Sequence, residues 1–288
     1  MQLLHWLPRF LLRHKTIDFL CKIGLQNRVS EIEFNDGART IIDLSDPEPR
    51  NVFIQREFEP HFFDIAKALT PQDGVFFDLG ANVGFCSFGL VSSKPGVHFH
   101  LFEASPQMIN LLNRSMDLHQ AHSFQLTQSC LSDKEGHTRF HLTAEQSGQS
   151  HVATSSEEGI DVSNLLLDKY CEDHGIAQID FAKIDLEGHE VPALKGWRES
   201  LGKQNAKALY VEIIPENQAR YDYETNAPLV FLESLGYRLF LCKPDDFGTF
   251  GSTAENHTFA DGVLPLSEFR AEDYPSSFAT DVLALAKK

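Results

Sequence analysis

The amino-acid sequence predicts an α/β protein: a mostly parallel sheet with helices on both faces, preceded by an N-terminal helix and a β-hairpin. Three observations carry this expectation. Between residues 75 and 242, short apolar runs alternate with segments of helical period, as when crossover helices join parallel strands. One apolar run, Val75-Phe76-Phe77, ends on Asp78 and passes directly into Leu79-Gly80-Ala81-Asn82-Val83-Gly84, a glycine turn at a helix start. The next run, residues 97–102, ends on Glu103, about 20 positions after the turn, where nucleotide-binding sheets place the acid that grips a ribose diol.

Taken in order, residues 1–28 read as helical. The apolar stretch at 1–13 is broken by His5, Pro8 and Arg9, and no small-residue cleavage site follows soon. It is too short and too polar to span a bilayer, so it reads as an amphipathic helix packed on the body. Arg9, Arg13, His14 and Lys15 keep a membrane-surface role open. Alternating runs at 29–34 and 38–44 flank Asn35-Asp36-Gly37, a hairpin signal. Asp46-Pro47-Glu48-Pro49-Arg50 reads as a loop or extended link, and residues 59–69 as a helix with Pro60 in its first turn. A strand is expected at 75–79, a helix at 83–92, a strand at 97–103 and a helix at 106–119 with Met108, Leu111, Leu112 and Met116 facing the core. A third strand follows at 124–131, then a turn at 133–136 with residues 138–143 returning antiparallel. Residues 144–160, rich in Ser, Glu, Gly and Gln, read as a mobile loop. Helices are expected at 165–174, 189–201 and 229–235, and strands at 179–184, 208–214 and 237–242. The tail reads as loop with a short helix at 279–287. The chain then divides into an N-terminal extension 1–56, a sheet domain 57–245 and a C-terminal extension 246–288.

Charge and cysteine usage exclude some function classes. With 41 acidic and 25 basic residues the formal net charge is −16, which argues against gripping a phosphate backbone, so no nucleic-acid partner is expected. Cysteines 21, 86, 130, 171 and 242 contain no Cys-x-x-Cys, which argues against a zinc or disulfide framework and points to a reducing cytoplasm.

Two constellations carry chemistry. In the turn, Gly80-x-Asn82-x-Gly84 replaces the Gly-x-Gly-x-x-Gly of dinucleotide sites. Asn tolerates left-handed dihedrals, so the turn still forms, but the spacing suits a nucleoside without a pyrophosphate. S-adenosylmethionine is such a ligand, with its amino-acid end at the turn and its ribose at Glu103. An NAD-dependent oxidoreductase and a non-catalytic donor-binding module are the alternatives. The second constellation, residues 179–190, is a strand ending at Asp185, followed by Glu187, His189 and Glu190. It falls at the same sheet edge as Asp78 and Glu103. Methyl transfer to a hydroxyl needs in-line alignment and a proton acceptor; Asp185, Glu187 and His189 are the candidate catalytic residues, with His189 the natural base. Lys183, unusual in a buried strand, is expected to pair with a neighbouring carboxylate. The Asp-x-Glu-x-His cluster has metal-binding chemistry but the spacing of no metal motif, so no metal is expected.

Together these stretches, with Leu101-Phe102-Glu103-Ala104-Ser105-Pro106, Leu131-Ser132-Asp133-Lys134-Glu135-Gly136 and above all Lys183-Ile184-Asp185-Leu186-Glu187-Gly188-His189-Glu190, resemble the FkbM-type methyltransferases over roughly residues 55–240. The resemblance implies a class I, Rossmann-like methyltransferase fold, S-adenosylmethionine as methyl donor, and O-methylation of a hydroxyl on a small molecule such as a sugar or secondary metabolite, or on a glycan. By matching position it implies that Asp78, Gly80, Asn82 and Gly84 form the donor turn and that Glu103 holds the ribose. Ser132 and Asp133 would then lie near the adenine, and Glu59 would touch the donor. Ala104 stands where such sequences usually carry Pro, and the family varies at the position of His189, which implies that His189 tunes this protein's own acceptor.

Overall fold

A computed structural model describes residues 14–143, 146–250 and 253–287; the helical expectation for residues 1–13 lies outside them. Helix α1 (His14–Lys22) leads to the hairpin β1 (Val29–Phe34) and β2 (Ala38–Asp43), registered from Val29 opposite Asp43 to Phe34 opposite Ala38. All three turn residues, Asn35, Asp36 and Gly37, have positive φ, which Asn, Asp and Gly tolerate best. The hairpin is tied to the body by Thr40 Oγ1 donating to the Val83 carbonyl and Ile41 N donating to Ser115 Oγ, each at 2.8 Å.

The expected link at 46–50 is instead the start of helix α2 (Pro47–Gln55). Its two prolines fall in the first turn, where a missing N–H leaves no helical bond unmade, and Asp46 caps it by accepting from Glu48 N. Helix α3 (Pro60–Leu69), strand β3 (Val75–Leu79), helix α4 (Phe85–Val91), strand β4 (His98–Glu103) and helix α5 (Pro106–Met116) follow as expected, whereas the strand expected at 124–131 ends early, as β5 (Ser123–Gln128), and residues 130 and 131 join another sheet.

The next stretch departs from expectation. Short strands β6 (Cys130–Leu131), β7 (His137–His141), β8 (His151–Val152) and β9 (Ile160–Leu165) form a second sheet in the order β6-β9-β7-β8. Residues 137–141 do return antiparallel, but against β9 and β8 rather than the strand before them. The expected loop at 144–160 thus contains a strand, and its polar composition fits a sheet with little apolar cover: among the described residues Ala104, Cys130, Phe140 and Val162 form a small core, with Leu142, Val152 and Ile160 packed against it.

The chain continues through α6 (Leu167–Asp173), β10 (Phe181–Ile184), α7 (Glu190–Lys195), α8 (Arg198–Gly202), β11 (Ala208–Ile213), α9 (Pro215–Ala219), α10 (Ala227–Ser234) and β12 (Arg238–Leu241). The single helix expected at 189–201 is two, broken where Trp197 turns fully inward. The tail supplies strands β13 (Glu255–Phe259), β14 (Gly262–Phe269) and β15 (Thr280–Leu285). The expected helix at 279–287 is therefore wrong. Ala and Leu favour helix locally, but Val282, Leu283 and Ala284 are buried on both faces between β11 and β12, which demands a continuous apolar strand.

The main sheet runs β13-β14-β12-β15-β11-β10-β3-β4-β5. Strands β3, β4, β5, β10 and β11 are mutually parallel, and β15 is antiparallel to both neighbours. The order β5-β4-β3-β10-β11-β15-β12, with β15 alone reversed, is the class I methyltransferase fold. The chain leaves β3 toward β5 and returns to β10 on the other side. The strand order thus switches between β3 and β10, opening a crevice beyond their carboxyl ends. Aromatic layers hold the sheet from both sides. Phe62, Phe76, Phe99 and Phe181 pack beneath the hairpin, α3 and α4, while Phe77, Phe102, Tyr170 and Trp197 pack against α6, α7 and α8. Successive residues Phe76 and Phe77 face opposite layers, as the two-residue period of a strand requires. Among the described residues no helix is long and apolar enough to cross a membrane.

Candidate active site

A cavity of about 280 Å³ lies over the switch point. Its floor is the turn after β3. Gly80 and Ala81 donate their N–H groups to the Phe102 carbonyl, each at 3.0 Å, and Gly80 has φ +87°. A Cβ on Gly80 would lie 1.9 Å from the Asp185 carbonyl oxygen, so only glycine lets the ends of β3 and β10 meet this closely. Asn82 takes φ +48°, and its N–H donates to Glu103 Oε2 at 2.8 Å, while Ser105 N donates to Glu103 Oε1, also at 2.8 Å. The Glu103 carboxylate therefore clamps the turn to the end of β4. Burial pushes its pKa up and the amide donors pull it back. Each oxygen retains a lone pair for a ligand hydroxyl.

The opposite wall is acidic. At the end of β10, Lys183 Nζ donates to Asp185 Oδ2 at 2.7 Å. Burial is the largest influence and opposes the ammonium, but Asp185 and the other acidic groups around it, Glu59 and Asp78 among them, together outweigh it and hold the lysine charged. The expected carboxylate pairing is thus present. Glu212, at the end of β11, faces Asp185: repulsion from that carboxylate, then burial, raises its pKa, so Glu212 keeps its proton. Carboxylate oxygens of Asp185, Glu187 and Glu212 lie within 4.8 Å of one another. The Lys183 ammonium already provides Asp185 with the counter-charge an ion would bring. Glu187, at φ +54°, accepts from Asn217 Nδ2 at 2.8 Å; burial, then Asp185, pushes it up to about 8. Glu59 is crowded by protein yet opens into the cavity, and the crowding pushes it up to about 7. Glu48 on α2 is raised by burial, then by Asp185.

His189 lines the cavity with its ring edge-on to Tyr221 at 5.6 Å. Neither ring nitrogen has a hydrogen-bond partner, and burial holds its pKa down to about 4, so the imidazole is neutral near pH 7. Its neighbour Glu190 is fully engaged, accepting from Leu186 N, Gly188 N and Gln218 Nε2, and serves to fold the loop after β10.

Of the residues expected from the sequence, Glu59, Gly80, Asn82, Glu103, Asp185, Glu187 and His189 line one cavity. Four do not. Asp78 is buried beneath the turn, raised by burial and accepting from Ser87 Oγ at 2.6 Å; it pins α4 to β3. Gly84 caps α4 at φ +80°, where a Cβ would strike Phe88 at 2.3 Å. Ser132 N donates to the Leu165 carbonyl within the small sheet, and Asp133 is exposed. The family resemblance placed these four by matching position, and position in the chain does not tell which way a side chain points.

Other lining residues escaped the sequence. Ser147 Oγ donates to Asn82 Oδ1 at 3.0 Å, and Ser147 N to Asp46 Oδ2 at 2.8 Å, so the polar 147–149 turn closes over the glycine turn against α2. Ser129, at the end of β5, also lines the cavity, and its buried Oγ lacks a partner. Glu212 had a visible signal: one acid in the run Leu209-Tyr210-Val211-Glu212-Ile213-Ile214, at the carboxyl end of a buried strand.

A model of the FkbM methyltransferase domain matches residues 78–239. Methyltransferase sdnD of Sordaria araneosa is 28% identical over 177 residues, covering 50% of this chain and 68% of that protein. Hexuronic acid methyltransferase AglP of Haloferax volcanii is 27% identical over 142 residues, covering 49% of this chain and 56% of its own length. This chain thus spans little more than half of the second relative. Among solved structures, precorrin-6y C5,15-methyltransferase from Geobacter metallireducens GS-15 aligns at a TM-score of 0.42 with 13% identity, over 80% of this chain and 89% of that one. The domain match extends over more than half of the 288 residues and takes in both the glycine turn and the Asp185 edge, and so the chain belongs to the FkbM methyltransferase family.

Proposed function

We propose that the protein is an S-adenosylmethionine-dependent O-methyltransferase acting on a hydroxyl of a sugar, glycan or secondary metabolite. One observation carries this reading: Glu103 at the glycine turn and the unpartnered His189 open into the same cavity. The residues present fit the donor. Glu103 has lone pairs to accept from ribose hydroxyls, Ser129 Oγ is a free polar atom at the end of β5, and the acidic wall complements a sulfonium and an ammonium. The donor supplies an electrophilic methyl group. The chain supplies alignment and a place for the acceptor's proton. Asp185, held by Lys183, orients the acceptor hydroxyl, and His189 takes its proton. Glu187 is largely protonated at pH 7 in the empty site and yields its proton to the donor's positive charge, so the base role falls to His189. AglP, by its name a hexuronic acid methyltransferase, supports a sugar acceptor.

Calorimetric titration with S-adenosylmethionine and S-adenosylhomocysteine, with NAD as control, tests the donor. Binding of NAD alone would overturn the reading. An acceptor panel spanning neutral sugars, hexuronates and phenols, read by mass spectrometry, then tests the acceptor. With a working acceptor, His189→Gln should lower kcat by about 100-fold or more while donor affinity stays within about twofold. An unchanged kcat would remove His189 as the base.

Donor affinity should depend on pH with a defined sign. Glu59 and Glu187, raised to about 7 and about 8, are partly protonated in the empty site. A cationic ligand lowers both values and expels protons, so affinity should rise from about pH 6 to about pH 8, with proton release visible in buffers of different ionisation enthalpy. Stability of the ligand-free protein should run the other way. The folded carboxyls bind protons more tightly than the unfolded ones, so their contribution is complete below about pH 4.5 and is lost as pH rises through about 7 and 8. A pH-independent affinity would remove these two acids from the donor site.

A further inference from the structure

We propose that α1 and the turn after it form a docking surface for an anionic lipid bilayer. Phe19 is 59% exposed, Ile23 48% and Leu25 49%, three of the few large apolar side chains turned to solvent among the described residues. Lys15, Phe19, Lys22 and Ile23 stand at i, i+4, i+7 and i+8, so basic and apolar groups share one exposed stripe. The opposite face is already committed. Ile17 is fully buried in the core, and Leu20 and Cys21 pack against it.

Charge selects the partner. Residues 1–28 hold five basic side chains and a single acid, Asp18, in a chain whose formal net charge is −16. That acid is neutralised by Arg50, whose Nη1 donates to Asp18 Oδ1 at 2.6 Å. Arg28 is likewise spent on Asp43, which leaves Lys15 and Lys22 as the free cations of the described part. The preceding sequence has the same composition, with Trp6, Phe10, Leu11 and Leu12 beside Arg9 and Arg13. Apolar side chains among lysines and arginines match a layer of anionic headgroups over acyl chains: the cations meet the phosphates while the rings enter the interface. A hydrophobic protein partner would explain Phe19 and Ile23 but not a local basic charge in an otherwise acidic molecule. The inference does not depend on the methyl-transfer reading.

The test is sedimentation of the full chain with phosphatidylcholine vesicles, with and without about 30 mol % phosphatidylglycerol, at low and high salt. The expected result is binding to the anionic vesicles only, weakened by salt. Lys15→Gln with Lys22→Gln should lower the partition coefficient by about tenfold or more, and Phe19→Ser with Ile23→Ser should lower it comparably. All four positions are exposed, and an unchanged thermal melt verifies that each variant is folded. Equal binding to neutral vesicles, no binding to either, or variants that bind like the parent would overturn the proposal. So would a concentration-dependent dimer abolished by Phe19→Ser with Ile23→Ser, which would assign the patch to a second copy of the chain.

Discussion

Gly80→Ala should destabilise the protein by about 3 kcal/mol or more and abolish donor binding in whatever folded fraction remains. Two effects add at this position. The backbone is at φ +87°, where an L side chain is strained, and the new Cβ would sit 1.9 Å from the Asp185 carbonyl oxygen. That oxygen belongs to the backbone at the end of a central strand, so it cannot swing aside as a side chain would. Relief requires β3 and β10 to part at the point where the cavity floor is built. Gly37→Ala is the matched control. Its φ is +95°, but nothing lies within 4 Å of the new Cβ, so only the strain remains, about 1 kcal/mol. Urea unfolding of both variants separates close approach from strain. Equal losses would mean that the β3–β10 contact is looser than described.

Glu103→Gln should weaken S-adenosylmethionine binding by about 100-fold while leaving the protein folded. The carboxylate now accepts from Asn82 N and Ser105 N, one on each oxygen. The amide of glutamine can satisfy only one of them and turns an N–H toward the other. It also removes the negative charge that would accept from the ribose hydroxyls, and charge-assisted hydrogen bonds are worth about 1.5–3 kcal/mol each. Glutamine preserves shape and volume, so the loss should appear in affinity more than in the unfolding midpoint. Calorimetry and a thermal melt on the same sample make the distinction. Full-strength binding by Glu103→Gln would place the ribose elsewhere in the cavity.

The sheet and its glycine turn were legible in the sequence because their signals are local. A run such as Val75-Phe76-Phe77 can hardly be anything but a buried strand, and Gly80 and Asn82 mark a turn whose dihedrals most residues avoid. The place of Glu103 at the cavity was legible for the same reason, since it stands at the end of the next strand, at the carboxyl edge of the sheet. So was the need of Lys183 for a carboxylate partner, since a buried lysine is costly unpaired; the structure names Asp185 as that partner.

What tertiary structure alone decided lies where distant segments meet. Asp78 satisfies every sequence criterion for the donor turn, yet its side chain faces inward to Ser87. Gly84 is required by the Phe88 ring rather than by the cavity. Glu212 keeps its proton chiefly because Asp185 arrives beside it from another strand, and then because it is buried. Ser147 reaches Asn82 from a segment with no apolar signature of its own. The tail residues Val282, Leu283 and Ala284 form a strand because a slot between β11 and β12 receives them. Local periodicity fixes which residues form an element and which face is apolar. Side-chain direction, shared protons and the last strand of a sheet depend on neighbours that are remote in sequence, and chain closure brings those together.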